Sequence, residues 1–327
     1  DLRMSRGLGD VYKRQLLLVG DTYQIDSIQF GNWFSVLKSF FPESAVFELT
    51  QPHRTKDERL LELWDKVRHM EDTAKEVIER ESYSLKVDET LLSSLEPGEA
   101  ILCLNYDGLY GINNINRFLQ ESNPNSAVTW DIQQYKVGDP ILFLDSDRFR
   151  SIIHNNMKGI IQGVEIIDEG TMEERIQFDV EVPKAIDEGD TRFLDFQLLE
   201  SFEEEEKSLI RFYVYKLKSA DEDGDDFGSR TVVPFQVAYA VSIHKAQGLE
   251  YDSVKIVITD EVEELVTHNI FYTAITRARE KLKIYWTPEV EEKVINRIKP
   301  RDISKDVELL KNYLTDKQQD DSLDFLL

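Results

Sequence analysis

The sequence has a single cysteine, Cys103, and no long apolar run. One cysteine excludes a disulfide framework and any zinc site built from several cysteines. No apolar stretch reaches the roughly 18 residues that a membrane-spanning helix needs, and the first residues lack the apolar core of a secretory signal. Glycine and proline are few, at 15 and 9 of 327 residues, which excludes collagen-like and Gly/Pro-rich disordered chains. These absences favour a folded cytoplasmic protein that does not enter a membrane.

Positive charge is also scarce. The 39 lysines and arginines stand against 63 aspartates and glutamates, so the formal net charge is −24. An acidic surface repels nucleic acid at long range, which lowers the expectation of a DNA- or RNA-binding protein. Much of the excess is local, in residues 203–206, in 221–226 and in the tail from 316, and such runs are typical of solvated loops. A basic groove inside an acidic shell stays compatible with this composition.

A phosphate-binding loop is missing as well. Glycine never directly precedes lysine, so the pattern GxxxxGK[ST] is absent, and no acidic pair closes an apolar strand before residue 16. The chain as given cannot build a complete P-loop nucleotide site. Residues 1–15 are polar and basic and have no hydrophobic period, so we interpret them as a non-native leader. We then expect the natural protein to carry a further N-terminal part.

What is present alternates strands with helices, which indicates an α/β layer fold, and 327 residues predict two cores. Continuous apolar runs are typical of buried parallel strands, and apolar residues at helical spacing indicate amphipathic helices. From about 134 to 230 the segments are short and alternating, which indicates a small β-rich insertion. Predicted strands lie at 16–19, 46–49, 100–104, 141–144, 159–167, 175–182, 209–216, 254–258 and 281–286, and predicted helices at 32–41, 56–70, 113–120 and 269–279.

The first of four polar segments, residues 20–24 (GDTYQ), follows the predicted strand at 16–19. The turn would place the Gln24 carboxamide at the carboxyl edge of the sheet, where α/β folds bind ligands. Such a group can hold a water or a phosphate oxygen. An ordinary strand-to-helix turn with a surface glutamine is the alternative.

The second segment, residues 49–55 (LTQPHRT), lies between a predicted strand and a predicted helix. Thr55 is the expected N-cap of that helix, so Arg54 lies close to its start. An arginine there can offer a planar pair of donors to phosphate. It can equally be a surface residue of a capping turn.

The third segment, residues 240–250 (AVSIHKAQGLE), holds a hydroxyl, an imidazole, an ammonium, a carboxamide and a carboxylate within nine residues. So many polar groups in a turn ahead of a buried strand favour a binding role, because packing alone would not retain them. Taken by itself, His244 is more typical of a surface or packed histidine. No cluster around it has metal-ligand spacing, so no metal site is predicted.

The fourth segment, residues 271–279 (FYTAITRAR), is predicted to be helical, with Arg277 and Arg279 near its C-terminal end. These charges can simply complement the helix dipole. Alternatively, Arg277 is an arginine finger that stabilises negative charge on a transferring γ-phosphoryl group.

In chain order, GDxxQ, LTQxxRT, SIHKAQGLE and YTAITRAR resemble motifs III to VI of superfamily-one helicases. The match is closest to the RecD-like branch, whose fifth motif reads HKxQG. The resemblance covers residues 16–286. It includes ILCLN at 101–105 with INRFLQ at 115–120, and VGDPIL at 137–142, which looks like the SH3-like insertion of that branch.

The resemblance implies an α/β fold with a RecA-like P-loop motor domain, a parallel sheet flanked by helices, and a small β-rich SH3-like insertion. The implied organisation is a leader at 1–15, a remnant of the first RecA-like domain at 16–31, the second RecA-like domain at 32–133 and 231–290, the insertion at 134–230, and a helical acidic tail at 291–327.

The resemblance also implies a motor that couples ATP hydrolysis to movement on single-stranded DNA or at a duplex junction. ATP and Mg²⁺ would be held largely by the absent N-terminal region, so the chain alone is expected to be inactive. The implied site residues are Gln24, Arg54 and Arg277 as catalytic groups at the γ-phosphate, Gly20, Asp21, Gln51, Gly248, Glu250 and Arg279 at the nucleotide, and Ser242, His244, Lys245 and Gln247 on the DNA.

Two other hypotheses about the function stay open. One is a motor that acts on RNA or remodels nucleoprotein. The other is a non-catalytic, helicase-derived binding module that uses the acidic runs at 203–206 and 221–226 as contact surfaces. Three phosphate-facing groups in one chain favour the motor, because a scaffold does not need them.

Overall fold

The computed structural model describes residues 17–25, 33–93, 95–96, 98–144, 148–149, 152–187, 189, 194–216, 230–299 and 302–324. The chain divides into two compact units, one formed by residues 1–51 and 300–327 and the other by 52–299. The predicted leader at 1–15 and the acidic run at 221–226 lie outside the described residues. Among the helices that are described, none combines the length and apolarity needed to cross a bilayer.

The helices are α1 (Trp33–Lys38), α2 (Glu58–Arg68), α3 (Ala74–Arg80), α4 (Ile112–Ser122), α5 (His268–Ile275), α6 (Pro288–Arg297) and α7 (Ser304–Asp324). The strands are β1 (Ser84–Leu85), β2 (Glu99–Cys103), β3 (Ala127–Trp130), β4 (Gln133–Lys136), β5 (Pro140–Phe143), β6 (Lys158–Ile167), β7 (Arg175–Val182), β8 (Gln197–Phe202), β9 (Lys207–Tyr215), β10 (Phe235–Val237), β11 (Ala240–Ser242), β12 (Tyr251–Val257) and β13 (Ala278–Tyr285).

In the first unit, two predicted strands are wrong. Residues 17–19 and 46–49 form neither strand nor helix, and Leu17, Val19, Phe47 and Leu49 are between 82% and 92% exposed. An apolar run becomes a strand only when a neighbouring strand pairs with its backbone. No described strand pairs with either segment. The predicted helix at 32–41 is confirmed as the shorter α1.

In the second unit, helix α2 confirms the predicted amphipathic helix at 56–70. Its residues Leu60, Leu63, Trp64 and Val67 are buried at helical spacing. The expected N-cap at Thr55 is wrong, because the Asp57 side chain accepts the Arg59 N–H at 2.9 Å. An aspartate is the stronger cap, and its position one residue before the helix lets it reach that donor.

The five-stranded sheet of this unit is parallel throughout, in the order β1-β13-β12-β2-β11. Helix α4 packs against β11, and α5 packs against β12 and β13. This confirms the predicted α/β class with a parallel sheet flanked by helices. The third and fourth polar segments, residues 240–250 and 271–279, lie at the ends of these strands.

A second sheet of six antiparallel strands has the order β10-β5-β6-β7-β9-β8. The predicted strands at 141–144, 159–167, 175–182 and 209–216 are confirmed as β5, β6, β7 and β9, while β8 and β10 were not predicted. An aromatic core that includes Tyr135, Phe143, Phe178 and Phe212 lies against this sheet. Strand β10 pairs with β5 and leads into β11 of the parallel sheet, so the two sheets meet there.

The predicted helix at 269–279 is wrong at its C-terminal end. Helix α5 ends at Ile275, and the chain enters strand β13 at Ala278, where it pairs with Tyr251. The Thr276 hydroxyl donates back to Tyr272 O at 2.8 Å and helps to close the last turn. Strand pairing therefore overrides the helical periodicity of the sequence.

Cys103 ends strand β2 and is 1% exposed. Burial raises the pKa of its thiol to about 12, because the thiolate would lose its hydration there. We expect a thiol reagent such as DTNB to label the native chain at least about a hundredfold more slowly than the urea-unfolded chain. Free cysteine measured in the same buffers is the control for reagent reactivity. Fast labelling without denaturant would contradict the buried position of β2.

Candidate functional site

Three charged side chains, Arg54, Glu250 and Arg279, meet where β12 and β13 begin, and we call them the guanidinium cluster. Glu250 directly precedes β12, and Arg279 is the second residue of β13. Because these strands are paired in parallel, both residues lie at the amino edge of the sheet. Arg54 Nε lies 3.6 Å from Glu250 Oε2, and Arg279 Nε lies 3.9 Å from the same oxygen.

Arg54 is held in the cluster by the turn that follows α5. Its Nη1 donates to Thr276 O at 2.6 Å, and the neighbouring Thr55 hydroxyl donates to Arg279 O at 2.5 Å. The Arg54 Nε is buried and has no hydrogen-bond partner in the protein. One carboxylate therefore faces two guanidinium groups that keep donor capacity, and such an arrangement can bind an anion such as phosphate.

The cluster is open to solvent. The side chains of Arg54, Glu250 and Arg279 are 26%, 46% and 53% exposed. Charge pairs of this exposure contribute little to stability, so the cluster is not explained as a structural salt bridge.

Arg277 has no exposed surface. Its Nε donates to Thr273 O at 2.9 Å, and its Nη1 donates to Leu249 O at 3.0 Å. The guanidinium predicted to face a phosphate thus lies beneath the cluster in this conformation and holds the backbone next to Glu250. The finger role of Arg277 stays a prediction.

The connecting loop, residues 243–250, joins the carboxyl end of β11 to the amino end of β12. It is built from successive turns, with Gly248 at φ +85°, a left-handed conformation that favours glycine. His244 and Gln247 are exposed on it. Ser242 is only 5% exposed, and its hydroxyl accepts the Lys245 N–H at 3.1 Å, so it shapes the loop from within.

A second polar group lies at the carboxyl edge of the parallel sheet, where β2 and β11 end side by side. Lys245 Nζ donates to Gln236 Oε1 at 2.7 Å and lies 5.9 Å from the centre of the Tyr106 ring. Tyr106 follows β2 and is 43% exposed. Tyr106 is not among the residues predicted from the sequence, although an aromatic residue just after a parallel strand is a signal that could have found it.

Lys158 was also missed. It begins strand β6 of the antiparallel sheet, and its Nζ donates to Glu250 O at 2.5 Å and lies 4.1 Å from the centre of the Tyr251 ring. Burial lowers the pKa of Lys158, while the Asp252 and Glu250 carboxylates oppose that shift. No sequence signal marks it, because its partner is 92 residues away.

The residues predicted in the first unit form a separate group. The Asp21 carboxylate accepts the Tyr23 N–H at 3.0 Å and the Gln24 side-chain amide at 2.9 Å. A Cβ at Gly20 would lie 3.0 Å from the Phe34 ring, which accounts for glycine there. Gln51 is exposed and lies outside helices and strands. The structure thus brings four predicted site residues together in the second unit: Arg54, Glu250, Arg277 and Arg279. Four others belong to the first unit: Gly20, Asp21, Gln24 and Gln51.

The chain is similar in sequence to known helicases. Residues 237–285 match the UvrD-like helicase C-terminal domain. The chain is 21% identical to the RecBCD enzyme subunit RecD of Buchnera aphidicola over 186 residues, which are 56% of this chain and 23% of that protein. It is 23% identical to the ATP-dependent DNA helicase Pif1 of Campylobacter jejuni over 298 residues, covering 82% of this chain and 61% of that protein.

Among solved structures, the chain is similar to the Pif1 helicase from Bacteroides in complex with ADP-AlF3 and ssDNA, at 17% identity and a TM-score of 0.45. That match covers 90% of this chain and 66% of the other. The chain spans less than two thirds of the length of either curated relative. The chain is thus similar to superfamily-one helicases of the RecD and Pif1 kind, and its residues 237–285 match the UvrD-like helicase C-terminal domain.

Proposed function

We propose that this chain is the C-terminal motor part of an ATP-dependent DNA helicase or translocase. One observation carries the proposal: the connecting loop joins two polar groups at opposite edges of one parallel sheet. The guanidinium cluster lies at the amino edge, and Lys245 with Tyr106 lies at the carboxyl edge. A short loop with both ends in ligand sites can transmit a change at one site to the other.

The guanidinium cluster suits the phosphates of ATP. The Arg54 Nε is a buried donor without a hydrogen-bond partner, and a guanidinium fork matches phosphate oxygens. Arg54 and Arg279 would bind these oxygens, and Glu250 would orient the two arginines. Arg277 would hold the Leu249 carbonyl and thereby the connecting loop. The resemblance implies that Arg277 is also the arginine finger. By the same resemblance, Gln24 would sense the γ-phosphate, and Gly20, Asp21, Gln51 and Gly248 would contact the nucleotide.

Mg²⁺ would neutralise phosphate charge when bound. Among the described residues, no group of three or more His, Cys, Asp or Glu side chains has metal-binding geometry. We therefore assign no Mg²⁺ ligand among these residues. A cytoplasmic location is part of the proposal, since ATP and DNA are both available there.

The carboxyl edge suits single-stranded DNA. His244 and Gln247 are exposed donors, and Lys245 supplies a positive charge beside an exposed tyrosine ring. Aromatic rings stack on unpaired bases, while cations contact the backbone between them. Ser242 supports this surface from beneath through the Lys245 N–H.

Binding of a fluorescein-labelled oligo(dT) to this chain tests the DNA assignment. The double variant His244→Ala/Lys245→Gln is expected to bind about tenfold more weakly than wild type at low salt, with the salt slope reduced by about one. Lys207→Gln, which removes the same charge from strand β9 of the antiparallel sheet, is the matched control. Equal affinity of the double variant and wild type would overturn the assignment. Preference for oligo(rU) would favour an RNA motor, and absence of any binding would favour a protein-binding module.

A further inference from the structure

The connecting loop is held at its first end by the antiparallel sheet. Lys245 Nζ donates to Gln236 Oε1 at 2.7 Å, and Gln236 is the central residue of β10. A charge-assisted hydrogen bond of this length is stronger than a neutral one. It fixes the Lys245 side chain, which would otherwise be free to rotate about four bonds.

The same sheet holds the second end of the loop. Lys158 Nζ donates to Glu250 O and lies above the Tyr251 ring, where a cation–π contact adds to the hydrogen bond. Glu250 is the last residue of the loop and a member of the guanidinium cluster. The Lys158 contact therefore fixes the backbone from which the Glu250 side chain projects.

The two contacts come from one row of the sheet. Gln236 pairs with Leu142 of β5, and Leu142 pairs in turn with Lys158 of β6. Directly paired residues project from the same face, and two strand spacings amount to roughly 10 Å. Leu142 is 1% exposed, so the centre of the row is packed in the core. We call Gln236, Leu142 and Lys158 the brace row.

We propose that the brace row fixes the separation of the two loop ends, so that movement at the DNA end is passed to the nucleotide end. Gly248 lies between these ends in a left-handed conformation and has no atom within 4 Å of a Cβ built on it. Without the brace, rotation at Gly248 would absorb the movement. Lys158 and Gln236 are thus positioning residues, and this inference rests on the proposed function.

Hydrogen exchange over residues 243–252 tests the brace in this chain without any ligand. Lys158→Met is expected to speed exchange near residues 249–252 about tenfold, and Gln236→Ala to do so near 244–247, because each change removes a hydrogen bond that holds one end. Lys158→Arg should restore slow exchange. Lys207→Met, an equivalent change on β9 of the same sheet, should leave the loop unaffected. Unchanged loop exchange in both brace variants would overturn the proposal.

Turnover in the longest natural form of the protein tests coupling. Lys158→Met is expected to lower the ratio of DNA-stimulated to basal ATP turnover at least about fivefold. Unchanged stimulation would overturn the coupling role even if the loop is loosened. A wild-type protein that neither binds DNA nor hydrolyses ATP would instead refute the proposed function, and the exchange result would still report on the brace itself.

Discussion

Replacing Arg277 by alanine is expected to lower ATP turnover in the longest natural form of the protein by about 10³-fold or more. The same change should lower the free energy of unfolding by about 3–5 kcal/mol. Both effects follow from the buried guanidinium. It bonds to Thr273 O and Leu249 O, and alanine would leave these buried carbonyls without that donor. The loop next to Glu250 would then lose its support, and the finger proposed from the resemblance would be gone.

Two measurements separate these effects. Urea unfolding followed by tryptophan fluorescence gives stability, and steady-state turnover at saturating ATP gives activity. Arg277→Lys keeps a positive charge without the planar fork, so it should be more stable than the alanine variant yet still slow. It is the informative variant if the alanine protein fails to fold. A folded Arg277→Ala protein that keeps more than a tenth of wild-type turnover would exclude the finger role.

Replacing Glu99 by alanine is expected to destabilise the parallel sheet by about 3–5 kcal/mol. Glu99 Oε2 lies 3.1 Å from Lys255 Nζ on the neighbouring strand, and their side chains are only 5% and 3% exposed. The other carboxylate oxygen accepts the Ser253 hydroxyl at 2.7 Å. Without Glu99, the Lys255 ammonium would stay buried without its counter-charge, which is more costly than losing one hydrogen bond.

A double-mutant cycle, with stability measured by urea unfolding, gives the interaction energy of the buried Glu99–Lys255 pair. The double variant Glu99→Leu/Lys255→Met should recover most of the lost stability, because removing both charges also removes the cost of burying them. Glu96→Ala is the surface control: its partner Lys281 is 58% exposed, so we expect a loss below about 1 kcal/mol. If Glu99→Ala costs no more than the surface control, the buried pair does not stabilise the sheet.

The hydrophobic periodicity of the sequence predicted the helices and strands that bury one regular face in a core. The spacing of Leu60, Leu63 and Val67 was sufficient for α2, and the alternation of Ile176, Phe178 and Val180 was sufficient for β7. Both patterns depend on one face of one element meeting a core. The predictions failed where strand pairing decides whether a segment becomes a strand. Helix α5 ends at Ile275 because the next residues join a strand, and Leu17 and Val19 stay exposed because no described strand pairs with them.

The family resemblance, the α/β class and most of the candidate site residues follow from the amino-acid sequence, because motif order and local hydrophobic period are properties of the chain. Where those residues lie follows only from the tertiary structure. It buried Arg277 beneath the cluster, left Arg54 open beside Glu250, and placed Lys158 and Tyr106 at the two ends of the connecting loop. These outcomes depend on contacts between residues far apart in the chain. One example is the hydrogen bond from Arg54 to Thr276, which lie 222 positions apart. No local pattern encodes contacts of that kind.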